Sequence, residues 1–526
     1  MTEAMNLCLP KPKSPTFIPK QELVDEKEDD GPEISKWTPL LMLGGAVACL
    51  GSAVPAGFNI GVVNNPAPII KEFCNESIEK RFDINLNDGW LRFTWSVVVS
   101  IFLIGGVIGS LIASVIADKY GRRYALAVGN IFGILGAGCF LLTPTLNSVE
   151  VIVLGRLLVG FSGGMATTLV PIYMIEIASL SQRGAVGVLC QLGITVGVFL
   201  GQVVGLDSVL GTKESWHIML ASFAPLCIIS LLSLYILPES PKYLYIIKQE
   251  KEKATRELAR FRSVDASLLY KEIQTLEKEA ALRTTLDAWS FSRIIRDPSV
   301  RLPLLLVASV QLGQQLSGIN AIFYYSQDIF KAAKVSDTAS QLAVLGTGII
   351  NIFMAVISVR LMSSFGRRTL FLISSYASAV CLIVLFIGLA IIVSINGEYM
   401  TLKLIDKAAF IPWVCIISVQ IYVLTYGIGM GPIPYFIGSE LFDVSPRPTA
   451  MAVGSICNWG GNFIVGLLFP TIATALGSPT YLIFVFCIIA VALFVKFYLP
   501  ETRGVSTLDI KAQLSRGLRR QSTLNS

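Results

Sequence analysis

The sequence has little charge and a single histidine. Only 15% of its 526 residues are charged, against about a quarter in soluble proteins. One histidine excludes His-rich zinc sites and the HExxH metalloprotease pattern, so no metal site is predicted. That residue, His217, lies beside Trp216 at the edge of an apolar run and is interpreted as an interfacial aromatic.

Two further absences narrow the class of protein. No Gly-Lys dipeptide occurs, so the chain has no Walker A loop for ATP. The ten cysteines lie almost entirely in apolar runs, where cysteine acts as a small hydrophobic residue. Since no nucleophile–base or metal constellation is present, the protein is predicted not to be an enzyme and to need no cofactor.

Long apolar runs make up most of the chain. A membrane-spanning helix needs about 20 mostly apolar residues. Twelve such runs occur in two groups of six: 38–62, 92–117, 124–143, 149–173, 184–205 and 217–237, then 300–325, 338–362, 369–393, 409–438, 448–472 and 478–499. The predicted fold class is an all-α membrane protein with twelve transmembrane helices in two six-helix halves.

Charged stretches divide the chain into five predicted parts. These are an amino-terminal tail (1–36), a six-helix bundle (37–237), a linker of amphipathic helices (238–299), a second six-helix bundle (300–499) and a carboxyl-terminal tail (500–526). Lysine and arginine concentrate on the side of the linker, which predicts that the linker and both termini are cytosolic. The opposite loop, at about 64–91, contains Asn75-Glu76-Ser77, an N-glycosylation pattern, so Asn75 is a predicted glycosylation site.

Three charged motifs recur in the same order in the two halves. They are Gly121-Arg122-Arg123 and Gly366-Arg367-Arg368, Glu176 with Arg183 and Glu440 with Arg447, and Pro238-Glu239-Ser240 and Pro500-Glu501-Thr502. Parallel six-helix repeats are typical of major-facilitator-type transporters, whose substrate site lies between the halves near mid-membrane. A cytosolic ion-pair network across the two halves is predicted from Asp118, Arg122, Arg123, Glu176, Arg183, Glu239, Arg367, Arg368, Glu440, Arg447 and Glu501.

Amides are the polar side chains within or beside the predicted spans. They are Gln191, Gln314, Gln315, Asn320, Asn351, Asn458 and Asn462. A single buried amide fits a helix–helix hydrogen bond as well as a ligand contact. For Gln314, Gln315 and Asn320 the cavity interpretation is favoured, because Gly318 loosens the helix between them. The tenth run contains Gly427–Pro434, which cannot form a straight helix and is predicted to be a gating hinge.

With these motifs the chain resembles the sugar porters of the major facilitator superfamily, and among them the animal facilitative glucose transporters. The matching stretches are 118–123, 238–241, 314–320, 431–434 and 500–504. The resemblance implies sugar contacts for Gln191, Gln314, Gln315, Asn320, Asn351, Asn458 and Trp459. It implies gating roles for Phe323, Tyr324, Tyr325, Gly431, Pro432, Pro434 and Tyr435.

The resemblance also implies the mode of transport. Proton-coupled porters have an aspartate at the position of Asn59, which cannot titrate. The expected function is therefore passive hexose uniport across the plasma membrane by alternating access, with D-glucose as the first candidate. Its expected partners are the hexose and the lipid bilayer, and no nucleic acid. A fructose, polyol or other small-solute carrier and a non-transporting sugar receptor remain alternatives.

Four positions depart from the pattern of the glucose carriers. Gly313 stands in place of serine, Tyr435 in place of tryptophan, and Gly427 in place of glutamate. These departures leave the choice of hexose open. Ser363 replaces an acidic residue before the second Gly-Arg-Arg, so a weaker ion-pair set is expected in the second half.

Overall fold

The structure is a computed structural model that describes residues 36–179, 182–285, 289–396, 410–442, 446–503, 505, 510 and 513–514. Within these ranges a few side chains, among them Arg183 and Ser363, are outside the description. The regular secondary structure of the described residues is helical throughout. The predicted amino-terminal tail, apart from Lys36, and most of the predicted carboxyl-terminal tail lie outside the described residues.

Six helical spans form the first half. The first span combines α1 (Pro39–Ala48), a π-helical turn (Cys49–Ala53) and α2 (Val54–Gly61). After the short α3 (Ala67–Phe82), the second to fifth spans are α4 (Asp88–Tyr120), α5 (Arg122–Leu146), α6 (Val149–Ile177) and α7 (Arg183–Val204). The sixth span is made of α8 (Trp216–Ala221) and α9 (Ala224–Ile236).

Three short α-helices and six more spans follow in the described chain. The short helices are α10 (Lys251–Arg262), α11 (Tyr270–Thr285) and α12 (Phe291–Arg296). The seventh span consists of α13 (Arg301–Leu316) and α14 (Ile319–Ala332), and the eighth and ninth are α15 (Asp337–Ser364) and α16 (Arg367–Asn396). The tenth consists of α17 (Ile411–Ile428) and α18 (Ile433–Leu441), and the last two are α19 (Arg447–Leu476) and α20 (Thr480–Tyr498).

The predicted membrane fold is confirmed. Eleven helical stretches of the described chain are long and apolar enough to cross a membrane. The twelfth is α7, whose described apolar part is Leu189–Val204. Below, the linker side is the end of the bundle that carries α10 to α12, and the loop side is the end that carries α3.

On the loop side, a helix occupies most of the stretch predicted to be a loop at 64–91. Helix α3 ends at Phe82, and the left-handed backbone of the next residue, Asp83 (φ 56°), stops it. Ile70 and Cys74 are buried, and Ser77 donates a hydrogen bond to the backbone oxygen of Asn147 (2.6 Å), so packing against the bundle stabilises the helix. Asn75 lies on this helix, partly exposed, and accepts a hydrogen bond from the backbone of Leu86 (3.3 Å).

Helix backbones touch where glycines face each other between the second and fourth spans. A Cβ atom at Gly160 would lie 1.9 Å from the backbone oxygen of Phe102, and one at Gly164 would lie 2.1 Å from that of Gly106. In lipid, helix association depends on such close packing of small residues, because burial of apolar surface brings no gain there. These contacts make the first half a tight bundle.

The linker packs against both halves. Phe261 of α10 is fully buried, and its backbone oxygen accepts a hydrogen bond from Thr38 (2.6 Å) at the start of the first span. Arg262 donates to the backbone oxygen of Ile177 (2.8 Å) at the end of the fourth span. Towards the second half, Thr449 donates to the backbone oxygen of Trp289 (2.7 Å). The described part of the linker is thus helical and held against the bundle by these contacts.

Candidate functional site

The seventh span is broken in the middle, as predicted from Gly318. This residue has φ +86°, a left-handed conformation that favours glycine, and it separates α13 from α14. A Cβ atom here would also lie 2.5 Å from the ring of Phe484. The break brings the amides of Gln314, Gln315 and Asn320 to the same level of the bundle.

These amides form a hydrogen-bonded cluster with the eleventh span. Asn320 donates to the side chain of Gln315, which donates to Gln314 Oε1 (3.2 Å). Asn458 donates to Gln314 Oε1 (2.6 Å) and to Gln311 Oε1 (2.8 Å). Four predicted sugar-contact residues are thus brought together, and Gln311 joins them. The name amide cluster is used below for these five residues.

The amide cluster is bonded to the break in the tenth span. Helix α17 ends at Ile428 and α18 begins at Ile433, which confirms that the Gly-Pro stretch does not continue as a straight helix. Gln314 Nε2 donates to the backbone oxygens of Met430 (3.1 Å) and Gly431 (2.7 Å). Gln311 Nε2 donates to that of Pro434 (2.8 Å). A broken helix exposes backbone groups that need partners, and here the amides supply them.

The other predicted sugar contacts lie around this cluster. Gln191 and Asn351 are partly exposed in the fifth and eighth spans, and within the described chain neither side chain hydrogen-bonds to the amide cluster. Trp459 meets the ring of Phe102 edge-on, with 6.2 Å between the ring centroids, and so reaches the first half. Tyr435 is 49% exposed.

The three aromatic residues predicted to gate the site are buried. They are Phe323, Tyr324 and Tyr325 of α14. Tyr325 leaves helical geometry (φ −132°, ψ 15°), and its hydroxyl donates to the backbone oxygen of Gly466 (2.7 Å). The seventh and eleventh spans are therefore joined beyond the amide cluster, on its loop side.

Sequence reasoning missed Arg156, which is fully buried in the fourth span. Its Nη1 atom donates to the backbone oxygen of Asn59 (2.8 Å) and its Nε atom to that of Val98 (3.2 Å). The guanidinium carbon lies 4.7 Å from the centroid of the Phe102 ring. No salt bridge joins Arg156 to a carboxylate among the residues described. A lone arginine inside the apolar run 149–173 was the available signal, because a buried charge within a span is a functional hypothesis by default.

The repeated charged motifs build the same arrangement in each half. In the first half, Arg122 binds Glu176 through two parallel bonds (2.9 and 3.0 Å), and it also bonds to Asp118 (3.1 Å). Ser240 donates to Glu176 (2.6 Å). The carboxylate of Glu239 accepts the backbone N–H groups of Arg122 (3.0 Å) and Arg123 (3.2 Å) and so caps α5. Burial raises the pKa of Glu239, and these N–H donors and Arg123 act in the opposite direction.

The second half repeats this arrangement with fewer bonds. Arg367 binds only one oxygen of Glu440, through two donors at 3.1 Å, and Thr502 donates to the other oxygen. Glu501 accepts the backbone N–H of Arg367 (2.6 Å). The side chains of Arg122 and Glu176 are each 9% exposed, against 18% for Arg367 and 23% for Glu440. The second ion pair is therefore the more open to water.

The glycine of each motif makes room for the capping carboxylate. A Cβ atom at Gly121 would lie 2.3 Å from Glu239, and one at Gly366 would lie 2.0 Å from Glu501. The second arginine of each motif donates to a backbone oxygen at the end of the half: Arg123 to Leu237 (2.8 Å) and Arg368 to Lys496 (2.5 Å).

Ion pairs were expected across the two halves, but the pairs described above lie within each half. Arg122–Glu176 and Arg367–Glu440 each join two helices of the same half, because the repeat places both partners at neighbouring helix ends. Arg447 donates to the backbone oxygen of Phe442 (3.0 Å), also within its half. The side chain of Arg183 lies outside the described residues, so its place in the ion-pair network stays a prediction.

Removing a capping charge should weaken the first half more than the second. We expect Glu239→Gln to lower the free energy of unfolding by about 1–2 kcal/mol, the usual cost of a lost cap. Glu501→Gln should cost less, about 0.5–1 kcal/mol, because its surroundings are more exposed to water. Thermal unfolding of the purified protein measures both. Glu277→Gln removes an exposed linker carboxylate and is the control; equal losses for all three variants would contradict a capping role.

Two of the positions that depart from the glucose-carrier pattern, Gly313 and Gly427, face neighbouring helices. A Cβ atom at Gly313 would lie 2.7 Å from the side chain of Val491 in the twelfth span. One at Gly427 would lie 2.6 Å from the side chain of Met354 in the eighth span. Glycine at these positions therefore allows close helix packing, and a larger residue requires Val491 or Met354 to move.

Two six-helix halves, the second of which holds the buried amide cluster, are the architecture of a multi-pass membrane transporter. The family described as "Sugar (and other) transporter" matches residues 45–514. The chain belongs to this family.

Relatives agree with this assignment, and a solved structure shares the fold. "Solute carrier family 2, facilitated glucose transporter member 3" of Mus musculus is 39% identical over 479 residues, which cover 90% of this chain and 93% of that protein. The Homo sapiens protein of the same description is 38% identical over 477 residues, covering 90% and 92%. The partially occluded inward-open xylose transporter XylE from E. coli has a TM-score of 0.70 at 23% identity, covering 89% of this chain and 100% of that one, and shows the shared fold.

Proposed function

We propose that the protein is a facilitative hexose transporter with D-glucose as its first substrate. The observation that carries this proposal is the amide cluster bonded to the break of the tenth span. Gln314 and Gln311 bind the backbone of this hinge, so a ligand that competes for these amides also acts on the hinge. The relatives named as facilitated glucose transporters support the choice of substrate.

The chemistry of the site suits a neutral sugar. Sugar hydroxyls both donate and accept hydrogen bonds, and each amide offers two donors and an acceptor without net charge. In this conformation the amides satisfy one another, which keeps buried polar groups from being left unpaired. A bound sugar would replace these mutual bonds. Trp459 and the exposed ring of Tyr435 offer aromatic surface to the apolar faces of the sugar ring.

Uniport follows from the residue at position 59. Asn59 has no titratable proton, and its backbone oxygen accepts a hydrogen bond from the buried Arg156 (2.8 Å). The buried charge bonded to residue 59 is therefore a cation, which repels protons and other cations rather than coupling to them. Gradient-driven exchange in both directions is the mode of transport that these two residues support.

The orientation in the membrane is part of the same proposal. The linker side carries Arg122, Arg367 and the charged helices α10 to α12, and we assign it to the cytosol of a plasma-membrane protein. The loop side then faces outward, with Asn75 on its surface as the glycosylation site. Alternating access moves the two halves against each other around the amide cluster.

Uptake into proteoliposomes tests the proposal. Labelled D-glucose should equilibrate through the purified protein, with the same rate with or without a pH gradient. Labelled D-fructose and a polyol are assayed in parallel. If fructose or the polyol is taken up faster than glucose, that solute and not glucose is the substrate. Accumulation driven by the pH gradient would contradict uniport. A protein that binds glucose without any uptake would be a receptor.

A further inference from the structure

A serine of the ninth span lies at the break of the tenth span. Ser374 of α16 is fully buried. Its hydroxyl donates to the backbone oxygen of Thr425 (2.7 Å), with that of Tyr426 at 3.3 Å, and accepts the backbone N–H of Met430 (3.0 Å). Thr425 belongs to the last turn of α17, and Met430 lies between α17 and α18. One hydroxyl therefore binds backbone groups on both sides of the point where α17 ends.

The break creates the backbone groups that Ser374 satisfies. In a regular α-helix the N–H of Met430 would donate to the backbone oxygen of Tyr426, four residues earlier. Here the N–H of Gly431 takes that acceptor (3.0 Å), so the N–H of Met430 needs a partner outside its own helix, and Ser374 is that partner. The last carbonyl groups of a helix also lack partners within it, and Ser374 donates to that of Thr425.

Contacts one turn to each side extend this junction. A Cβ atom at Gly429 would lie 2.5 Å from the backbone oxygen of Leu370, one turn before Ser374. One turn after Ser374, the hydroxyl oxygens of Ser378 and Thr425 are 3.1 Å apart. Glycine and small polar side chains let helices pack this closely in a membrane. The break is therefore joined to the ninth span along two turns of α16.

The backbone of Met430 is held from two sides. Its N–H binds Ser374 of the ninth span, and its oxygen accepts Gln314 Nε2 (3.1 Å) of the amide cluster in the seventh span. Gln314 also donates to the next backbone oxygen, that of Gly431 (2.7 Å). A contact that fixes these two acceptors also fixes the amide that binds them. Ser374 therefore acts on Gln314 through the backbone of Met430.

We infer that Ser374 is a positioning residue for the sugar site, which it preorganises by holding the broken backbone that Gln314 binds. This inference rests on the proposed function, since it assumes that the amide cluster binds the sugar. A bound sugar would replace mutual bonds of the amides, and a fixed backbone keeps Gln314 in one orientation meanwhile. Order that exists before binding lowers the cost of binding. Loss of the hydroxyl should therefore weaken sugar binding more than it slows transport.

The next residue of α16 provides a matched control. Ser375 is 1% exposed, and its hydroxyl donates to the backbone oxygen of Phe371 (2.7 Å), within the same helix. Replacement by alanine removes a buried hydroxyl at either position. Ser374→Ala also leaves the N–H of Met430 without its acceptor, whereas the bond of Ser375 supports no group of the tenth span. The difference between the two variants therefore measures the contact with the break.

Amide hydrogen exchange tests the first step, that Ser374 holds the break. The full-length protein in lipid nanodiscs is compared as wild type, Ser374→Ala and Ser375→Ala. We expect the amide of Met430, followed in peptides that cover residues 425–432, to exchange at least about tenfold faster in Ser374→Ala, the factor that follows from losing a buried hydrogen bond. Ser375→Ala should stay within about twofold of wild type. Unchanged exchange in Ser374→Ala, or equal acceleration in both variants, would overturn the inference.

Sugar uptake tests the second step, that the held backbone positions Gln314. In proteoliposomes, Ser374→Ala should raise the half-saturation concentration of D-glucose by about three- to tenfold and change the maximum rate by less than about twofold. Ser375→Ala should match the wild type in both quantities. Faster exchange with an unchanged half-saturation concentration would mean that Ser374 holds the backbone without positioning the amide, and this result would also overturn the inference.

A conservative variant keeps the test decisive even where Ser374→Ala folds poorly. Ser374→Cys retains a weaker donor and acceptor in a side chain of similar size, so both readouts should move in the same directions by smaller factors. A Ser374→Cys protein identical to the wild type in both readouts would overturn the role of the hydroxyl. The proposed function is judged separately: if the wild type transports no hexose, that proposal fails, while the exchange results still decide whether Ser374 holds the break.

Discussion

Replacing Gln314 by leucine should reduce D-glucose uptake by about 100-fold while the protein still inserts and folds. Gln314 is the centre of the amide cluster: it donates to the backbone oxygens of Met430 and Gly431 and accepts from Asn458. A buried polar group left without a partner costs about 1–3 kcal/mol. Two such losses correspond to about 100-fold in rate or affinity.

Gln420→Leu is the matched control for this variant. Gln420 is also an amide of a membrane span, but it donates to the backbone oxygen of Ala343 (2.7 Å), between the tenth and eighth spans. Uptake by Gln420→Leu should stay close to wild type, measured per molecule of protein in proteoliposomes. If Gln314→Leu also transports within about threefold of wild type, the amide cluster is not the sugar site.

Asn59→Asp should make transport depend on pH. The new carboxylate would lie beside the buried guanidinium of Arg156, which already bonds to the backbone oxygen of residue 59. When ionised, it would pair with Arg156 inside the membrane, and breaking a buried ion pair is costly. Movement of the first span should then be slow at high pH and faster when protonation releases the pair. We expect uptake to rise at least about tenfold as the pH falls from about 8 to about 5.5.

The double variant Asn59→Asp with Arg156→Gln separates pairing from other effects. It keeps the carboxylate and removes its partner, so the pH dependence should shrink towards that of the wild type. Initial rates of uptake with equal pH on both sides of the membrane measure this. A pH-independent Asn59→Asp variant would mean that position 59 lies outside the transport path. Retained pH dependence in the double variant would mean that Arg156 is not the partner.

Comparison of sequence and structure shows which features can be predicted from a single continuous stretch of the chain. Each predicted span is found within a few residues, because a span is defined by the composition of one continuous stretch. The break at Gly318 and the hinge at Gly431–Pro434 were also predictable, because glycine and proline act on their own backbone. Helix α3, within the predicted loop at 64–91, could not be predicted in this way, because the packing of Ile70 and Cys74 that stabilises it is not local.

The sequence alone determined the twelve spans, the repeat of the two halves and the group of amides in the seventh span, because these depend on residue type and spacing along the chain. Only the tertiary structure decided which groups meet. It placed the arginine–glutamate pairs within each half and Arg156 against the backbone of Asn59. It also placed Ser374 against the break of the tenth span. In these contacts a side chain often bonds to a backbone group that has no partner within its own helix because of a kink or a helix end. The position of that backbone group depends on how distant helices pack.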